Sequence, residues 1–303
     1  MAVTFSQMAE EVSRKMAGFT YRQDRQTHLI TTITSTSLSI TVQSAINISS
    51  GIIQIDDELI YIDSYDRNTG ILSVPPYGRG YNGTPAIAHT AGAKVVISPT
   101  YPIVDVKESL NEVIAGSFPA LYQVKSTTFT YSPAKSTYAL PVDAINILQV
   151  SYQSVGPSKE WVPIRAYRID NMANSTAFSG TTNTISLYSG ITPGRTVQVW
   201  YATEAELLVN PTDDFATITG LPQSCKDVIV YGACYKLSSF IDAGRLSYSS
   251  AESDAQSAST LSIRSFAAGA NASKYLYQIY NQRLIEESQK LDDLYPVRIH
   301  YTR

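Results

Sequence analysis

What most constrains this chain is residues 221–295, which read as two helices in succession with no proline between Pro222 and Pro296. The first is expected over 223–243, where Cys225, Val228, Ile229, Gly232, Ala233, Leu237, Phe240 and Ile241 repeat at the i, i+3, i+4 spacing of one buried stripe. The second is expected to begin at Ser249, with Glu252 at capping-box distance, and to run to Leu294. Helices of that length belong to bundles, coiled coils or assemblies rather than to average domains. One face is small: Ala255, Ala258, Ser262, Ser265, Gly269, Ala272 and Ser273. Further on, Tyr275, Tyr277, Tyr280, Arg283, Glu286, Glu287 and Lys290 make it aromatic and then charged. The small face lets two backbones approach closely. It fits a long internal helix of a monomeric bundle, and equally a helix packed on its symmetry mates around a ring.

The remaining elements are expected to be grouped around those helices. Thr4 and Gln7 have capping-box spacing, and Phe5, Met8, Val12, Met16 and Phe19 form one stripe with nothing local to bury it. Residues 27–98 turn to β-patterning rich in Thr, Ser, Ile and Val, punctuated by turn formers at 66–70 and 75–84. A short helix follows over 104–115, stopped by Gly116 and Pro119. Residues 121–208 are again β, with strands expected at 127–131, 145–152, 184–187 and 196–201 of a compact sandwich and a mobile loop at 170–183. The fold class that follows is α+β: a helical bundle core with a long C-terminal helix and two inserted antiparallel β-modules. The segments are an N-terminal bundle helix (1–25), a small β-domain (26–100), a bundle helix (101–118), a β-sandwich-like domain (119–210), the two long helices (221–295) and an extended arm (296–303).

Chemistry is sparse. With 16% charged residues and a net charge of -3, the chain lacks the basic surface of an electrostatic nucleic-acid binder. Cys225 and Cys234 sit nine residues apart on one expected helix, roughly 13 Å, too far to pair. No stretch has a membrane span or a signal h-region, so a soluble protein made in a reducing cytoplasm is expected. His28, His89 and His300 are scattered, without metal-binding spacing among themselves or with the cysteines. The glycine-rich run 78–83 lacks the Lys-Ser/Thr and the strand–loop–helix context of a phosphate loop. Asp56, Asp57 and Glu58 form a carboxylate cluster of the kind glycosidases or Ca²⁺ sites use, but between Ile55 and Leu59 they read as a solvated tight bend. No catalytic residues, cofactor or metal are assigned. Tyrosine outnumbers phenylalanine 21 to 8, a bias of half-wet surfaces and interfaces.

Two stretches resemble known proteins. "GIIQIDDELIYID" followed by "YGRGYNGTPAIAHTAGAKV" is similar to a small β-module of tailed-bacteriophage virion proteins, through Arg79, Gly80, Gly83, Thr84, Ala88, His89 and Gly92. The order of "DVKESLNEVI", "VQVWYATEAELL" and "LPQSCKDVIVYGACYKL" before a long final helix resembles a phage head-to-tail adaptor, also called a connector or head-completion protein. That resemblance implies a non-enzymatic ring of twelve copies in the virion neck, made in the host cytoplasm. It would join the portal protein to the next neck or tail protein (stopper, terminator or tail tube). Double-stranded DNA would pass through its lumen without sequence-specific binding, and no membrane partner is implied. Subunit packing falls to Ala258, Ser262, Ser265, Gly269 and Ala272, and inter-subunit or inter-ring contact to the loop of Tyr77, Arg79, Tyr81 and Asn82. The C-terminus alternates Val297, Ile299 and Tyr301 with Arg298, His300 and Thr302 before Arg303, a pattern suited to a strand added to a partner's sheet edge. The family implies the portal as that partner. The alternative is a tail or baseplate protein presenting its β-domains for partner or receptor contact.

Overall fold

The computed structural model describes residues 2–18, 24–156, 159–178, 180–188, 190–253 and 260–296, and the side chains of these except 240–272. The chain forms two compact units. The first gathers Met1–Val113, Leu208–Asp214 and Lys226–Tyr280, and the second gathers Ile114–Leu207, Phe215–Cys225 and the chain from Asn281 onward.

In the first unit, α1 (Phe5–Ala17) starts where the sequence places it. The Thr4 hydroxyl accepts from the Gln7 N–H at 3.3 Å, and the Gln7 side chain accepts from the Thr4 N–H at 3.1 Å. Phe5, Met8, Ala9, Val12 and Met16 are buried along one stripe. Seven strands follow: β1 (Arg25–His28), β2 (Ser39–Thr41), β3 (Gly51–Ile55), β4 (Glu58–Ile62), β5 (Ser64–Tyr65), β6 (Ile71–Ser73) and β7 (Lys94–Ile97). They form two antiparallel sheets, ordered β1-β7-β3-β4 and β2-β6-β5. Ile40, Ile53, Ile55, Ile60, Ile62, Leu72 and Val95 fill their common core. Helix α2 (Ile103–Gly116) comes next, and later α4 (Lys226–Ser253), preceded by a 3-10 turn at Gln223–Cys225. Helix α1 packs on α4, where Lys226 bridges to Glu11 at 2.9 Å.

The second unit holds β8 (Gln123–Thr130), β9 (Thr137–Ala139), β10 (Asn146–Gln153), β11 (Trp161–Pro163), β12 (Tyr167–Asp170), β13 (Thr184–Leu187) and β14 (Thr196–Thr203). Sheets β11-β10-β14-β8 and β12-β13-β9 share a core of Val150, Ile164, Ile185, Val197, Val199 and Tyr201. Phe129 stacks on Tyr138 with ring centroids 4.3 Å apart. The short helix α3 (Phe215–Thr219) and the C-terminal part of α5 (Thr260–Leu294) complete the unit. Buried Glu287 of α5 is held by Lys290 at 2.6 Å, by Arg283 at 3.3 Å and by the Ser224 hydroxyl.

Two expectations are overturned. The fold is not a helical bundle core carrying inserted β-modules. Among the described residues, fourteen strands in four antiparallel sheets organise the chain, with few helices. Strands of two to four residues carry too few alternations to register as periodicity, so sequence patterning overweights the long helical runs. Ser249 also does not cap a new helix, since it lies inside α4. Extending an existing helix adds one hydrogen bond per residue fixed, whereas restarting one repeats the unfavourable nucleation step.

Candidate protein-contact site

The carboxylate cluster of the sequence lies at the turn between β3 and β4, with Asp56 at φ 48°. Glu58 is not part of a solvated bend: it is fully buried, on the same strand face as Ile60 and Ile62. Its carboxylate accepts from Arg79 Nε at 2.7 Å and Nη2 at 2.9 Å, from the Gly80 N–H at 3.0 Å, from the Ile87 N–H at 3.1 Å and from His89 Nε2 at 2.9 Å. Burial opposes its charge, but the donors of Arg79, His89, Gly80 and Ile87 outweigh it and hold the acid down to about 2. Such a group has no proton to give at neutral pH. Asp57 is tied to Lys107 at 2.8 Å.

His89 is the other half of the clamp. Burial disfavours its charge, yet Asp56 at 2.8 Å from Nδ1 and Glu58 at 2.9 Å from Nε2 raise it to about 9, so both ring nitrogens donate. Arg79 commits its remaining N–H groups to the carbonyls of Thr34 (2.6 Å), Ser37 (3.0 Å) and Ile87 (2.7 Å). All five guanidinium donors are therefore used inside the chain. Gly80 follows at φ 60°, where a Cβ would sit 2.7 Å from the Thr84 carbonyl, and a Cβ at Gly78 would meet the Tyr61 carbonyl at 2.6 Å.

The glycine-rich loop lies along the outer edge of β4. Tyr61 N–H donates to Gly78 O at 2.8 Å and Leu59 N–H to the Thr84 hydroxyl at 3.1 Å. What it presents outward is aromatic. Tyr77 is 71% exposed and Tyr81 36%, and both stack on Tyr61, with centroids 6.2 and 5.8 Å away. Exposed Asn82 follows Tyr81 in the left-handed region at φ 55°. Large amphipathic rings on a backbone already fixed from behind lose little entropy when a partner covers them. This arrangement is suited to binding a protein surface.

The structure thus joins Tyr77, Tyr81 and Asn82 in one exposed patch and turns Arg79 inward beneath it. Sequence reasoning missed Glu58, Asp56 and His89 as that patch's foundation. Of the packing residues, Ser262, Ser265, Gly269 and Ala272 fall in α5, and Ala258 lies outside the described residues. So does the arm of Val297, Arg298, Ile299, His300, Tyr301 and Arg303. Cys225 and Cys234 are buried and unpaired with each other, their thiols pushed up to about 12 chiefly by burial. Among the described residues, no cluster of His, Cys, Asp or Glu is arranged to hold a metal, and no helix is long and apolar enough to cross a membrane.

No curated protein matches the chain. The profile of the family described as SU10 adaptor protein matches residues 86–274, more than half of its length. The match takes in His89, the sandwich and α4, and begins after Glu58 and Arg79. That family consists of structural phage adaptors, which places the protein in the virion in contact with other head or tail proteins. By that match this chain belongs to the SU10 adaptor protein family.

Proposed function

We propose that this adaptor is the head-to-tail connector of the virion neck. Copies of the chain, twelve in the expected ring, join the portal protein to the next neck or tail component, and the genome passes through their lumen during ejection. The observation that carries the reading is the family match over residues 86–274. The exposed Tyr77–Tyr81 patch supports it, because an adaptor must hold neighbours through stable surfaces. Heterologous contacts between identical copies close into a ring when their rotation closes, and the small residues of the sequence at Ala258, Ser262, Ser265, Gly269 and Ala272 suit such packing. The protein is structural in this reading, with no catalytic residue, cofactor or metal, and is made in the host cytoplasm before entering the virion. The weak negative charge suits a lumen that must not grip phosphates.

Native mass spectrometry of the chain, alone and mixed with its portal, tests the proposal. A closed ring, or a monomer that joins the portal in fixed stoichiometry, is the expected result. A monomer or trimer indifferent to the portal would overturn it in favour of a tail or baseplate part.

A further inference from the structure

Sheet edges carry N–H and C=O groups that need partners or protection. The long edges of this chain are dealt with one at a time. β4 is covered by the glycine-rich loop described above. Beside β1, Gln43 N–H donates to His28 O at 2.9 Å and Ser44 N–H to the Thr27 hydroxyl at 3.1 Å. β11 is three residues long and ends in Pro163, and the outer strands of the remaining sheets have two to four residues.

β8 is different. All eight of its residues pair with β14 in unbroken register. Among the described residues, no backbone hydrogen bond reaches its other side from 124 to 130. It has no proline, glycine or bulge, and its single charge, Lys125, is engaged by Glu206 at 2.9 Å and Asp143 at 3.4 Å. Ser126, Thr128 and Thr130 are exposed on one face, while Thr127 and Phe129 are half-buried on the other.

The stretch 297–303 fits that edge. It is as long as 124–130 and follows Pro296, just after α5 ends at Leu294. Laid along β8, Val297, Ile299 and Tyr301 would continue the row of Phe129, and Arg298, His300 and Thr302 the hydroxyl row of Ser126, Thr128 and Thr130. The chain's own arm leaves α5 near the entry to β8, where the Tyr122 hydroxyl donates to Asp292 at 3.3 Å. From there it would run parallel to β8, whereas every strand pair among the described residues is antiparallel. A second copy's arm can enter from the Thr130 end and pair antiparallel. We infer that residues 297–303 of one copy add as a strand to the β8 edge of a second copy, clasping neighbour to neighbour. This rests on the reading that copies assemble, and it gives the arm a different destination from the portal that the family resemblance implies.

The test mixes two full-length preparations, alone and with portal. One carries Ser126→Cys, Thr128→Cys or Thr130→Cys, and the other carries His300→Cys. The native cysteines are buried, so the introduced thiols are the reactive ones. After mild oxidation, a mixed disulfide dimer is expected for at least one of the three positions. It should be lost when Ile299→Pro is added to the arm or when excess peptide 297–303 competes. An assembled ring with no mixed disulfide overturns the placement of the arm alone. A third preparation carries both substitutions in one chain; a bond that forms only there, within the chain, assigns the arm to its own edge and overturns the inference. If no oligomer forms with or without portal, the inference and the ring reading fail together.

Discussion

Glu58 stays charged while buried only because five donors converge on it and outweigh the cost of desolvation. Removing its charge leaves Arg79 and His89 facing each other, with Asp56 on the far ring nitrogen of His89 as the remaining counter-ion. Glu58→Gln is therefore expected to lower stability by about 3–5 kcal/mol, the range for breaking a buried pair from one side, and chemical denaturation reads it directly. Arg79→Lys should also be harmful, since one ammonium cannot reach a carboxylate and three carbonyls together. His89 sets a pH dependence. Its folded value of about 9 lies above the ordinary 6.5, so its stabilisation is full below 6.5 and lost as pH rises through 9. Glu58 acts oppositely: its contribution is present above 4.5 and lost as pH falls through about 2. The melting temperature should fall between pH 6.5 and 9.5, and His89→Gln should flatten that slope. This clamp was only half legible in the sequence. The carboxylates at 56–58 stood out but read as a solvated bend, and nothing local showed that Arg79 and His89, more than twenty residues away, would meet a buried Glu58.

At the scale of elements, legibility followed how local the cause was. The start of α1 could be read because Thr4 and Gln7 settle it within one turn. Thr4→Ala should cost about 1 kcal/mol, seen as a lower denaturation midpoint with an unchanged slope. The same residue pattern at Ser249 and Glu252 misled, because a helix already running from Lys226 needs no cap there. The strands expected around 145–152 and 196–201 formed as β10 and β14, each with enough alternation to register, and the four residues expected at 184–187 formed as β13. β9, β11 and β12 owe their existence to partners brought from elsewhere in the chain, which no short window of sequence contains. That is also why the balance between sheets and helices was misjudged.

At the scale of the whole molecule, the buried clamp of Glu58, Arg79 and His89 lies beneath the exposed rings of Tyr77 and Tyr81. Tyr77→Ala combined with Tyr81→Ala should leave the melting temperature within about a degree while weakening attachment to a neighbouring virion protein roughly tenfold or more, as loss of aromatic anchors does. Co-sedimentation or surface plasmon resonance with portal and tail partners measures it. Unchanged attachment to all of them would remove the patch from the contact surface. The loop beneath the patch has a further consequence, expressed in time rather than energy. Its Gly80 and Ile87 amides are donated to a carboxylate sealed from water, not to solvent. In deuterated buffer they should exchange as slowly as amides of β3 and β4, opening only when the whole sheet opens. Glu58→Gln should shorten those lifetimes far more than it changes the loop's average position. A segment with almost no regular secondary structure would then keep the same slow clock as the core it covers.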